Sequence, residues 1–209
     1  MRTRVSKLLL PVVAVGLFVG CGGNPPTAEL EAANRALQDA KSAGAERFAS
    51  SELAAAESAY DKAKSAMEAE QQKLFKNFDK VTPMISDAKA KAEGAKSTAV
   101  AMKAQAKRGA ESSISGADAA LQSARLSLDN APTGKGTEGD IEQLRTELGS
   151  AEADLSAARA AASREDFDSA ESKAASAQRT AEGVSSGVAA AAQKHAEMVE
   201  KMKPWYERI

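Results

Sequence analysis

Apolar residues return along this chain at alternating spacings of three and four, in six series. They are Leu30, Ala33, Leu37, Ala40; Leu53, Ala56, Tyr60, Ala63, Met67 and, past Glu70, Leu74; and Phe78, Val81, Ile85, Ala88, Ala92, Ala95, Ala99, Met102, Ala106. Then come Ile114, Ala117, Leu121, Ala124, Leu128; Ile141, Leu144, Leu148, Ala151, Leu155, Ala158, Ala162; and Phe167, Ala170, Ala174, Ala177, Ala181, Val184, Val188, Ala191, His195, Met198, Met202. A 3.5-residue period predicts amphipathic helices that supercoil left-handedly. Alanine fills about half of the seam, which lets backbones approach closely but buries little area per residue. Each helix therefore depends on length or on several neighbours.

The six series form two sets of three. The stretch ALQDAK at Ala36 recurs as ALQSAR at Ala120, an offset of 84. SELAAAESAYDKAK at Ser51 recurs as TELGSAEADLSAAR at Thr146, an offset of 95, and NFDKVTPMISDAKAKAEGA at Asn77 recurs as DFDSAESKAASAQRTAEGV at Asp166, an offset of 89. The second set has a longer connector, NAPTGKGTEGD, and lacks the QQKLFK insertion of the first. Three blocks in one order indicate duplication, and repeats of this size suggest stacked helical units. Pro83 either kinks the third helix or opens a restart capped by Thr82. Gly109 to Gly116 is either a turn or the middle of one long helix; the pattern fits both.

The chain contains 47 alanines and only eight aromatic residues. Alanine is the strongest helix former, and strand-favouring side chains are scarce. The expected class is all-α: an elongated antiparallel bundle of coiled-coil-like hairpins, made of two tandem three-helix repeats at 28–109 and 110–203. An aromatic tail follows at 204–209.

The first residues read differently. Arg2, Arg4 and Lys7 precede an uncharged apolar run, Leu8 to Gly20, of 13 residues. Spanning a bilayer takes about 20, so 1–20 has the pattern of a secretory signal peptide. The only cysteine, Cys21, ends the run. As a free thiol in an oxidising compartment it would be a liability. Leu17-Phe18-Val19-Gly20-Cys21 resembles the lipobox of bacterial lipoproteins, with Phe18 where leucine is usual. The resemblance implies cleavage before Cys21, a diacylglyceryl thioether on its sulfur and acylation (palmitate or a similar chain) of its new amine. Residues 21–27 would form a short linker, whose Gly-Gly-Asn-Pro-Pro tract breaks regular structure. Gly22 rather than Asp at the next position implies sorting to the outer membrane. The stretch from Pro25 to about Gln105, with its Gly44-Ala45 turn, Phe48-Ala49 pair and Glu-Leu-x-x-Ala-x-x-x-Tyr-x-x-Ala pattern, resembles an uncharacterised Ala-rich helical domain of envelope lipoproteins. Such domains often adjoin OmpA-like or LysM modules, which implies a place in the periplasm and cell envelope rather than a mechanism.

Chemistry is sparse in the rest. Without its first 20 residues the chain holds 25 basic and 29 acidic residues, a net charge of −4, which disfavours nucleic acid as a partner. His195 is the only histidine, so no histidine-rich zinc set is available. It stands on the seam of the last helix. GKGTEG at Gly134 lacks phosphate-loop spacing and a preceding strand. No catalytic residue, metal or cofactor is expected, and the chain reads as a non-enzyme. Lys73 to Arg108 holds nine basic and three acidic residues, and Glu138 to Glu171 ten acidic and three basic. Lys89, Lys96 and Lys103, seven apart, form either a stripe for an anionic glycan such as peptidoglycan or one side of an internal charge match. Pro204 should stop the last helix, leaving Trp205 and Tyr206 for a partner or for the bundle end. The expected function is a lipid-anchored structural or adaptor element, with a peptidoglycan- or glycan-binding module as the alternative. The expected partners are the membrane through acyl chains, an envelope protein or peptidoglycan, and a second copy of the chain completing the alanine seams.

Overall fold

A computed structural model describes residues 24–132, 134 and 136–203. The described chain is all-α, with no strand. Its helices are α1 (Thr27–Ser42), α2 (Ala45–Phe48), α3 (Ser50–Gln71), α4 (Val81–Asp129), α5 (Glu138–Ser163) and α6 (Phe167–Met202). Cys21, Trp205 and Tyr206 lie outside the described residues.

The chain divides into two compact units. The first comprises residues 24–42 and Ser50–Ala95, the second Ala43–Ala49 and residues 96–203. In the first, α1, α3 and the start of α4 share a core of Leu30, Ala33, Ala63, Met67, Phe78, Val81 and Ile85. In the second, the C-terminal part of α4 packs with α5 and α6 around Leu121, Leu128, Ile141, Leu155 and Val184, with alanines between them. Each unit thus has three long helical segments, the second also holding the short α2, and the positions matched in sequence share their burial. Leu37 and Leu121, Leu53 and Leu148, Phe78 and Phe167, and Ala92 and Ala181 are all buried.

Local chemistry accounts for the helix ends. Glu29 near the start of α1 and Lys41 near its end complement the helix dipole, as do Asp168 and Lys201 in α6. Gly44, between α1 and α2, opens α2 from the left-handed region, at φ 86°, where glycine carries no Cβ penalty. α3 stops at Gln71, so Leu74, placed in the seam by periodicity, stands instead in a loop and is 91% exposed. Pro83 neither kinks α4 nor opens a Thr82-capped restart. It sits in the first turn, where a missing N–H breaks no helical hydrogen bond, and the Thr82 hydroxyl donates to the Phe78 carbonyl at 3.2 Å.

The region Gly109 to Gly116 is helical, so the third and fourth series run on as the single 49-residue α4. The expected repeat join at 109/110 lies inside that helix, and the division between units falls at Ala95/Lys96. Between Ala106 and Ile114 the seam passes through fully buried Ala110 in two steps of four. Such an insertion locally unwinds the heptad supercoil without breaking the helix. Met102, expected on the seam, is 46% exposed.

Besides Gly139 in the first turn of α5, three helical glycines have open space where a Cβ would stand: Gly94, Gly149 and Gly183. Alanine at each should stabilise its helix by about 0.5–1 kcal/mol, because it restricts the unfolded chain and meets nothing in the folded one. Urea unfolding of the single variants measures this. Gly44→Ala should shift the midpoint the other way, since its φ is positive and the Phe48 ring lies 3.3 Å from the new Cβ.

Candidate functional site

The three candidate lysines stand on α4. Lys89 pairs with Glu93 on its own helix at 3.7 Å, and both side chains are well exposed. Lys96 also has an interaction partner. Lys103 reaches the α5–α6 turn, where its Nζ lies 2.6 Å from Glu165 Oε2. In the second unit, then, a basic residue of α4 meets an acidic residue of the 138–171 stretch. Other cross-helix pairs there are Arg125 with Glu152 and Arg159 with Asp118, each at 2.8 Å. Pairs this exposed add little stability and chiefly set which faces meet.

The most elaborate polar cluster of the second unit surrounds that same turn. α5 ends with Glu165 in the left-handed region, at φ 60°. The Glu165 amide donates to the Ala162 carbonyl and the Asp166 amide to the Ala161 carbonyl. These two bonds make a Schellman closure with glutamate where glycine is usual. Arg47 of α2 binds the turn. It donates to the Glu165 carbonyl at 2.9 Å, to Asp166 Oδ1 at 3.1 Å and to Asp168 Oδ2 at 2.9 Å. Its guanidinium also lies 5.3 Å from the centroid of the Phe48 ring, which is 6.4 Å from the Phe167 ring. The Asp168 hydrogen bond is the main cause that pushes Arg47 above its ordinary pKa. Asp166 is held below the usual carboxylate range, first by the Ser169 hydroxyl facing it and then by the Ser169 amide and Arg47. No regular side-chain cap bond is closed at the start of α6.

A carboxylate depressed in the fold adds stability that is present above its unfolded pKa and lost as pH falls through its folded one. Acidification should therefore loosen the Arg47–turn contact below the ordinary aspartate range. A carboxyl-carbon NMR titration should give Asp166 a lower midpoint in the folded protein than in the urea-unfolded chain. Equal midpoints would contradict this arrangement.

His195 is half-buried near the end of α6, against the loop before α5. A Cβ added at Gly134 would meet its Nε2 at 2.7 Å, so glycine there lets the ring approach the loop. Thr137, the only fully buried polar residue among those described, donates its hydroxyl to the Gly134 carbonyl at 3.1 Å. The grooves are open troughs. One of about 690 Å³ in the first unit is lined by Ser58, Asp61, Lys62, Ser65 and Met84, and one of about 510 Å³ there by Ala55, Ala59, Lys62, Pro83, Met84 and Lys91. Another, of about 370 Å³ in the second, lies beside Arg47, Met102, Gly109 and Glu171. Among the described residues no set of three or more His, Cys, Asp or Glu side chains is placed to hold a metal, and no helix is long and apolar enough to cross a membrane.

Two features escaped the sequence reading. The Arg47 cluster has no periodic signature, because its members come from two distant turns. The second is a solvent-facing apolar pair, Leu74 and Phe75 (91% and 82% exposed), in the loop between α3 and α4. The QQKLFK insertion marked that position without revealing its exposure. The chain matches no protein-family model, no curated protein and no solved structure.

Proposed function

We propose that this is a non-enzymatic, lipid-anchored helical protein of a bacterial cell envelope, attached through acyl chains on Cys21. It acts as a structural or adaptor element for an envelope protein or peptidoglycan, from the outer membrane. The observation that carries the reading is how directly the fold follows the cysteine. The Thr27 amide donates to the Pro25 carbonyl at 2.8 Å and the Leu30 amide to the Pro26 carbonyl at 3.1 Å, so α1 begins at the end of the Gly-Gly-Asn-Pro-Pro tract. Six residues from Cys21 to α1 reach at most about 20 Å. One acyl chain binds a bilayer reversibly and two or three hold firmly, so the first unit would stay at the membrane surface. The surfaces of both units, laced with exposed ion pairs, suit a scaffold more than a water-excluding pocket.

The anionic-glycan alternative has weaker support, because Lys89 and Lys103 already face Glu93 and Glu165. Replacing Cys21 with serine tests the anchor. The wild-type protein should fractionate with membranes and the variant should not; equal retention would remove the basis of the proposal. Crosslinking in intact cells then identifies the partner.

A further inference from the structure

The loop between α3 and α4 carries the most exposed large apolar side chains among the described residues. Leu74 and Phe75 are 91% and 82% exposed, side by side at the tip of a turn that the second repeat lacks. An isolated exposed leucine needs no explanation, but a paired leucine and phenylalanine at a loop tip is an unsatisfied apolar surface. The flanking residues are basic. Lys73 precedes the pair, Lys76 follows it, and Lys80 stands four residues further on. Glu70 holds Lys73 at 2.6 Å, whereas Lys76 makes no ion pair among the described residues. The loop is built rather than frayed. The Lys73 amide donates to the Glu70 carbonyl, the Asn77 side chain accepts from the Asp79 amide at 2.8 Å, and buried Phe78 fastens its far end to the core of the unit.

Its position adds the decisive point. α1 and α3 are joined through residues 43–49 and run antiparallel, with Lys41 at the end of α1 paired to Glu57 in the second turn of α3 at 2.7 Å. The same register brings Thr27, the first residue of α1, level with Gln71, the last of α3. At that end Leu30 shares a cluster with Met67 and Phe78. The loop tip and the chain arriving from Cys21 therefore emerge from the same end of the first unit. Only two residues, Gly22 and Gly23, separate Cys21 from Asn24.

We propose that the 72–77 loop is a second membrane contact, in which Leu74 and Phe75 enter the interfacial region of an anionic phospholipid bilayer while Lys76 and Lys80 face the headgroups. An apolar tip with basic shoulders has the chemistry of an interfacial anchor, and anionic headgroups attract nearby lysines within a Debye length. The proposal rests on the Cys21 anchor for its proximity to the membrane, but not for the chemistry of the loop. Two attachments on one end of the unit would fix its orientation on the surface, which acyl chains at a single point cannot do.

The test places a single indole in the loop. Phe75→Trp is combined with Trp205→Phe in the acylated protein, which is reconstituted into phosphatidylglycerol-containing vesicles with bromine on the upper acyl carbons. The expected result is blue-shifted, bromine-quenched emission, reduced in neutral phosphatidylcholine vesicles and by salt. In parallel, the chain from residue 21 onward with Cys21→Ser, which retains every described residue, is titrated with phosphatidylglycerol vesicles. Leu74→Ser with Phe75→Ser should weaken its binding about 10–100-fold, the loss expected for withdrawing two apolar side chains from an interface. Both changes are on exposed side chains, and unchanged helical circular dichroism verifies the fold. Water-like, unquenched emission from acylated protein that remains on the vesicles would overturn the loop contact while leaving the anchor intact. Loop-dependent binding by the serine chain, alongside an unacylated native N-terminus, would uphold the loop chemistry and reject the anchor. A photocrosslinker at position 75 that captures protein and no lipid in cells would overturn the proposal in favour of a protein dock.

Discussion

Replacing Phe167 with alanine should destabilise the protein by about 3–5 kcal/mol, toward the upper end of that range. Phe167 opens α6 and is 4% exposed. Its cluster consists of Ala110, Ala161 and Ala170, with half-buried Phe48, Ala106 and Ala162 beside them. Apart from the two phenylalanines, every member is alanine. Alanines have no rotamers with which to fill a hole, so the cavity would persist, and cavity volume is what raises the cost above simple transfer. Phe78, its counterpart in the first repeat, sits instead among Leu30, Met67, Val81 and Ile85, with Tyr60 and Met84 against them. Those longer and partly flexible side chains can move inward. Phe78→Ala should therefore cost less than Phe167→Ala, near the bottom of the same range. Urea midpoints for the two variants, with Phe167→Leu as an intermediate, measure the difference. Equal costs would contradict the description of the Phe167 cluster as an alanine cage.

The second large effect runs in the opposite steric sense. Ala174, Ala177 and Ala181 have no exposed surface and lie in the core cluster of the second unit with Ala151 and Ala158. Where helices approach over alanines, the space for a longer side chain is already occupied by backbone. Ala177→Leu should therefore cost about 1–3 kcal/mol through overpacking, although leucine is the more hydrophobic residue. Ala175→Leu, two positions away on an exposed face, should lie within about 0.5 kcal/mol of wild type. If both leucines stabilised the protein, the seam would be less tightly packed than described. The pair tests whether small residues are present because helices touch there or merely because alanine favours helix.

Much of this fold was legible as periodicity. A repeat of 3.5 reports which face of a helix is buried, and Ala33, Ala88, Ala92, Ala177 and Ala181, chosen by spacing alone, are fully buried. The same spacing failed where a helix ended or changed phase. Leu74 fits the heptad register of α3, yet α3 stops at Gln71 and the side chain faces solvent. Met102 fits the register of α4 but falls where the buried stripe shifts toward Ala110. The two four-residue steps through Ala110 are a stutter, which keeps α4 continuous across Gly109 to Gly116. The α5–α6 turn was hidden for a different reason. Its left-handed residue is Glu165, and a glutamate carries no signal for positive φ. The Arg47 cluster was invisible because three of its groups are 118 or more residues away from Arg47.

The candidate site divides in the same way. Cys21 was read from local chemistry, a basic start, a short apolar run and a small residue before the thiol, none of which depends on tertiary structure. The lysines were read from a seven-residue spacing, which places side chains on a helix face but says nothing of what faces them. Lys103 lies 2.6 Å from Glu165, a pairing created because α5 runs back along α4 and carries the turn to it.

The claim on which the functional account depends is covalent, and the mass of the N-terminal peptide of the protein purified from membranes tests it most directly. The account predicts a peptide that begins at Cys21, with a diacylglyceryl group on the sulfur and a blocked amine. A chain still starting at Met1, or one whose Cys21 carries a bare thiol, would contradict it.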